Sequence, residues 1–236
     1  MLERHANPQT ETVKTAPSES LMQINTKEQA KTYYYQQWSS MPGDPSEWQN
    51  SCSERNHPGR EVAASLVPCG SSLLEVACGI GVDYQRFKDK DVIYFGVDLT
   101  EKFITEAKRH SVPCQVADAL NLPFPDKSFD SVYCKDLLVH LPPGDWKKVL
   151  CEMARVCRDR VIILDHGFED KTRYLLCETY KAETGDLYFY NNVYSAKEVE
   201  AFMYTLGFCM EQYQTGSLVV GSVVQANIVT LFTKRK

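Results

Sequence analysis

With 236 residues, 43% of them hydrophobic, the chain carries enough apolar material for one full α/β core and needs no disulfide framework. A net charge of −5 and a pI near 5.6 argue against a nucleic-acid binder, and no run approaches the ~20 apolar residues of a membrane-spanning helix. The nine cysteines are scattered, with no Cys-x-x-Cys pair and no His–Cys cluster, so no metal site is expected. They read as buried, reduced thiols, Cys134 in SVYC and Cys151 in KKVLCEMA among them. Free thiols and a polar N-terminus without an apolar leader place the expected location in the cytoplasm.

Residues 1–20 are poor in aliphatic side chains and rich in Pro, Thr, Ser and Glu, and are read as a mobile tail; residues 21–236 are read as one domain. Thr26-x-x-Gln29 is a capping-box pattern that opens a helix carrying Tyr33, Tyr34 and Trp38, and SSMPGDPSEW breaks it. REVAASLV is a further helix before Pro68 and Gly70. SLLEV (72–76) is a short buried strand closed by the glycine turn ACGIG, and a short helix follows around Tyr84 to Phe87. VIYFGV (92–97) is a second strand, and Thr100 is placed to cap the helix EKFITEAKRH. CQVA (114–117) and FDSVYC (129–134) are the third and fourth strands.

An amphipathic helix then sets Trp146, Val149, Leu150, Met153, Ala154 and Cys157 on one face, and VIILD (161–165) is the fifth strand. Beyond residue 166 the alternation stops. Ser195-x-x-Glu198 starts and Gly207 ends a last helix, and CMEQYQ and NIVTLFTK, with no helix between them, read as an antiparallel pair. Strands alternating with helices give a parallel, doubly wound α/β sheet covered on both faces.

The segment LLEVACGIGVD carries the most chemistry. Gly79 and Gly81 let the chain turn sharply after a strand without placing a side chain against a ligand, and ligands of such sheets lie at the carboxyl ends of the strands. Asp98 ends the second strand, where a carboxylate can accept from both ribose hydroxyls. Asp118 follows the third, within reach of an adenine amino group. A dinucleotide fingerprint requires a third glycine where this chain has Tyr84, which argues against a pyrophosphate seat. The Glu75 carboxylate suits an ammonium. An adenosine ligand with a cationic amino-acid end fits these residues best.

These segments resemble the class I S-adenosylmethionine-dependent methyltransferases: EVACGIG their first motif, GVDLTEKFITEAK the second, VADALNLPFPDKSFDSVYCKDLLVHLP the third and fourth, and EMARVCRDRVIILD the fifth strand with its helix. The resemblance implies a Rossmann-like, doubly wound seven-stranded sheet with its last strand antiparallel. It implies S-adenosylmethionine as cofactor, with Glu75 and Gly79 around the methionine moiety, Ala77 and Gly81 of the same turn also cofactor-binding, Asp98 on the ribose, and Asp118 with Ala119 on the adenine. Lys135 after the fourth strand, and Tyr34 and Trp38 of an aromatic lid helix, complete the expected cofactor-binding set. Ala77 stands where the family has its first glycine, and RVCRDRVIIL lacks the usual Pro-Gly-Gly turn.

The acceptor is expected at the loops after strands four and five, with His166 as the candidate catalytic base and His140, between two apolar neighbours, as a packing residue. The acidic charge and the resemblance favour a small-molecule acceptor over nucleic acid or membrane. Two rival readings stand beside methyl transfer: a non-catalytic S-adenosylmethionine-binding partner subunit and a nicotinamide-dependent oxidoreductase.

Overall fold

The computed structural model describes residues 58–142, 144–166, 168–169, 172, 176–182, 185–190, 192–220 and 223–235. The capping box at Thr26 and the expected lid residues Tyr34 and Trp38 lie outside the described residues.

The chain alternates α1 (Pro58–Ser65), β1 (Ser72–Val76), α2 (Tyr84–Lys88), β2 (Ile93–Asp98), α3 (Glu101–Arg109), β3 (Cys114–Val116) and β4 (Phe129–Lys135). A 3-10 turn, Leu138–His140, then leads to α4 (Asp145–Val156) and β5 (Cys157–His166). After β5 come β6 (Phe168–Glu169), β7 (Leu176–Ala182), β8 (Gly185–Tyr190), β9 (Tyr194–Ser195), α5 (Ala196–Thr205), β10 (Phe208–Val220) and β11 (Val223–Lys234). The main sheet has seven strands in the order β10-β11-β5-β4-β1-β2-β3. β1 to β5 run parallel, and β11 pairs antiparallel with both β5 and β10.

Both faces of this sheet are covered, which is why its strands are nearly continuous in apolar residues and do not alternate with polar ones. Successive residues serve opposite sides. Leu73, Tyr133 and Ile162 pack with Ala63, Phe87 and Ile104 of α1, α2 and α3. Leu74, Cys134 and Ile163 pack with Trp146, Val149 and Met153 of α4 and with Val199 and Met203 of α5. At the C-terminal end of α4, Arg155 donates to Glu152 and to the carbonyls of Leu122 and Phe124, while Leu122 N donates to Glu152. This pins the loop that descends from β3.

Several local expectations are corrected. The missing Pro-Gly-Gly turn is no turn at all: α4 ends at Val156 and β5 begins at Cys157. The slack is taken up by a bulge, since the pairing steps from Phe129↔Cys157 to Ser131↔Arg160. Cys157 therefore opens the strand and does not belong to the helix. Cys151 is exposed on the outer side of α4, while Cys134 is buried as expected. Thr100 sits at the cap position of α3, yet its side chain makes no capping bond there; it turns to Asp98. The hairpin β7–β8, a small sheet of its own, and the β6–β9 pairing occupy the stretch where the alternating pattern stops. Among the described residues, no helix is long and apolar enough to cross a membrane.

Candidate active site

The carboxyl ends of β1, β2, β3 and β4 open on one cavity of about 310 Å³, within the size range of small-molecule sites. Its floor is the turn after β1. Ala77 has φ 62° and Gly79 φ 54°, so the chain passes twice through the left-handed region. A Cβ on Gly79 would meet nothing within 4 Å; its absence leaves backbone open to the cavity. Ala77 accepts the strain of that conformation, which accounts for the glycine this position has in the family it resembles.

The acidic residues that end the strands converge here. Asp98 Oδ2 accepts from Gly79 N–H at 2.9 Å, and its Oδ1 accepts from Thr100 N–H at 2.8 Å. Asp98 thus ties the glycine turn to β2 as well as facing the cavity. Burial pushes its carboxyl up, and the bonds from the Thr100 and Gly79 backbones pull against that. Each carboxylate oxygen has more than one lone pair, so ribose hydroxyls can still be accepted. Asp118 also faces the cavity, its Oδ1 taking Leu120 N–H at 2.9 Å to fold the turn after β3, and Ala119 lies beside it.

Glu75 is the most deeply set. Only 3% of it is exposed, and Tyr94 donates to its Oε2 at 2.6 Å. Burial, then the nearby charge of Asp83, raises its pKa well above the usual carboxylate range; the Tyr94 hydroxyl, Arg60 and Lys135 oppose the shift. Such a carboxyl gains from a cation arriving beside it.

Of the sequence-derived cofactor residues, Glu75, Ala77, Gly79, Asp98, Asp118, Ala119 and Lys135 all border the cavity. Lys135 ends β4 and is ion-paired with Asp136. Gly81 is a correction. With φ 79°, it is needed for the turn and for contact: a Cβ there would lie 2.7 Å from the Val112 side chain, and Gly81 does not border the cavity. Tyr84, at the third glycine position, packs its ring against Tyr94 at 5.1 Å, which leaves no close helix approach for a pyrophosphate. His166 is the last residue of β5, paired with Asn227 of β11; its side chain lies outside those described.

The sequence reading gives Arg60 no role and His140 only a packing role, yet both line the cavity. Arg60, from α1, is buried beside the floor and ion-paired with Asp83, which also accepts from Tyr133 at 3.1 Å. Its helix precedes every recognisable motif. His140 was expected to pack because Val139 and Leu141 are apolar. Those two are indeed buried, but the tight 3-10 turn brings His140 to the cavity wall as well.

Residues 73–160 match the family model described as a methyltransferase domain. The chain is 31% identical over 124 residues to phosphatidylethanolamine N-methyltransferase of Cereibacter sphaeroides, a match covering 48% of this chain and 60% of that one. It is 34% identical over 106 residues to 27-O-demethylrifamycin SV methyltransferase of Amycolatopsis mediterranei, covering 40% of this chain and 38% of that one. The matches therefore span less than two thirds of these relatives' length. In fold it is similar to an S-adenosylmethionine-dependent methyltransferase of Methanosarcina mazei, with TM-score 0.64, 16% identity, and coverage of 74% of this chain and 97% of that one.

Proposed function

We propose that this chain, whose residues 73–160 match a methyltransferase domain, is a class I S-adenosylmethionine-dependent methyltransferase that transfers the methyl group of S-adenosylmethionine to a small organic acceptor and releases S-adenosylhomocysteine. The observation that supports this most is the convergence of Glu75, Asp98 and Asp118, from three successive strand ends, on one cavity floored by the Gly79 turn.

Glu75 is the partner for the cofactor's ammonium, and Arg60, on the same wall, carries the charge that its carboxylate calls for. Asp98 accepts from the ribose, Asp118 and the Ala119 backbone hold the adenine, and Lys135 closes the β4 side. Tyr34 and Trp38 are assigned to the lid from sequence alone. The cofactor, when bound, supplies a methyl carbon activated by a positively charged sulfur. For such an in-line displacement the protein contributes position and exclusion of water.

A base is required only for an acceptor that must lose a proton. His140 holds that place on the cavity wall, and His166, at the end of β5, is the second histidine assigned to the acceptor side. The two relatives named above carry different acceptor atoms in their names, nitrogen in one and oxygen in the other, so the shared segment does not dictate the acceptor. A small molecule fits the cavity and the acidic chain, and the cytoplasm fits its free thiols.

The test is an incubation of the full chain with S-adenosylmethionine carrying a labelled methyl group and a metabolite extract. Label appearing in a low-mass product is the expected result. Label only in protein or RNA, or no S-adenosylhomocysteine formed with any fraction, would overturn the proposal.

A further inference from the structure

The loops after β4 and after β5 are far apart in sequence, and one short segment holds them together. Asn192 donates from its backbone N–H to the Val139 carbonyl at 2.8 Å, and from Nδ2 to the Leu141 carbonyl at 2.6 Å. The Tyr194 hydroxyl donates to the Leu138 carbonyl at 2.7 Å and accepts from Asn192 Nδ2 at 3.1 Å. The carbonyls of Leu138, Val139 and Leu141, all in or beside the 3-10 turn, are thus taken by two side chains and one backbone amide from residues 192–194. Both residues are buried, and the Tyr194 ring packs on Trp146 of α4 at 5.5 Å.

The same segment reaches the other loop. Tyr194 and Ser195 form β9, which pairs with β6 directly after β5, and Ser195 N–H donates to Thr172 Oγ1 at 3.0 Å. On its other side the segment follows β8, so the β7–β8 hairpin is tethered through it to the turn. The 3-10 turn has two backbone bonds of its own, His140 N–H to the Leu137 carbonyl at 3.2 Å and Leu141 N–H to the Leu138 carbonyl at 3.1 Å, too few to hold its place on the sheet. What fixes it is the clip.

We propose that Asn192 and Tyr194 are positioning residues for methyl transfer: they clip the turn that carries His140 and Leu141 on the cavity wall, and join the β4 and β5 loops into one acceptor-side unit. The proposal rests on reading the cavity as the methyl-transfer site. Neither residue is among those that line the cavity, so the clip acts on the acceptor wall through the turn and not on cofactor affinity. The neutral amide and hydroxyl make the bonds independent of charge. Burial makes them costly to lose, because the Val139 and Leu141 carbonyls would give up a partner and the Leu138 carbonyl would keep only the Leu141 N–H, at 3.1 Å.

The test uses the full chain, with Tyr194→Phe, which keeps the ring on Trp146, and the more severe Asn192→Leu. Amide hydrogen exchange over residues 137–141 should accelerate about tenfold in Tyr194→Phe and further in Asn192→Leu, while β1 and β2 stay protected as in wild type. The His140 ring resonance should broaden or shift in both variants, and S-adenosylhomocysteine affinity should stay within about twofold of wild type. Unchanged exchange over 137–141 would overturn the proposal. Acceleration spread equally over β1 and β2 would also overturn it, by showing a role in global stability only. Failure of the wild type to bind S-adenosylhomocysteine would strike the functional reading instead, and exchange in the ligand-free chain would still decide the clip.

Discussion

The two sides of the cavity are built by different means. The side proposed for the cofactor is made of charge and backbone shape, most of it within one continuous stretch from Glu75 to Ala119, with Arg60 added from the preceding helix and Lys135 from the end of β4. Buried carboxylates, a left-handed Ala77 and a turn tied by Asp98 make it stiff and costly. The side proposed for the acceptor is held by neutral hydrogen bonds between segments up to 56 positions apart, from Leu138 to Tyr194. A site assembled from one local stretch has a sequence signature. A site assembled by long-range neutral bonds can be rebuilt from other residues, and the match to the family model ends at residue 160, before that clip is reached.

The sharpest way to break this contrast is at Asp98. Asp98→Ala removes the ribose acceptor and the tie to Gly79 together, and should weaken S-adenosylhomocysteine binding on the order of 2–3 kcal/mol by calorimetry. An unchanged affinity would remove Asp98 from the site.

Glu75→Gln should weaken binding less, on the order of tenfold, while raising the melting temperature of the ligand-free chain. The sign follows from its raised pKa. A carboxyl raised on folding stabilises fully below its unfolded value, near 4.3, and that contribution is lost as pH climbs through the higher folded value. At neutral pH wild type therefore bears a cost that the amide escapes. A cation beside Glu75 favours its ionised form and pulls its raised pKa down, so over the pH range where this carboxyl titrates ligand binding should release protons, and titrations in buffers of differing ionisation enthalpy will show it. Proton uptake would contradict the role given to Glu75.

Asp118→Ala should cost about 1 kcal/mol of ligand affinity, one hydrogen bond to a neutral amine. An effect as large as that of Asp98→Ala would mean that Asp118 does more than meet adenine. The smallest effect belongs to Ala77→Gly. Relief of the left-handed alanine, set against glycine's greater freedom when unfolded, should raise stability by up to about 1 kcal/mol in denaturant melts. A loss of stability would show that the turn gains more from its methyl group than it pays in strain.

The contrast also explains what could be read from the chain alone. β1 and β2 lie within a residue of their expected bounds because short apolar runs closed by glycine or aspartate leave little choice. Gly81 is legible as a turn glycine, but the close approach of Val112 that it accommodates is not, since Val112 is 31 positions away. Arg60 precedes every motif and His140 sits between apolar neighbours at the end of one, and their places depend on how α1 and a three-residue turn dock on the sheet. Asn192 and Tyr194 carry no local pattern, because their partners are carbonyls that every residue possesses.

The central claim is that the cavity at the Gly79 turn is made for S-adenosylmethionine. Calorimetric titration of the full chain with S-adenosylmethionine, S-adenosylhomocysteine and NAD tests it directly. The account predicts saturable binding of the first two at one site and none of the third; tighter binding of NAD than of S-adenosylhomocysteine would contradict it.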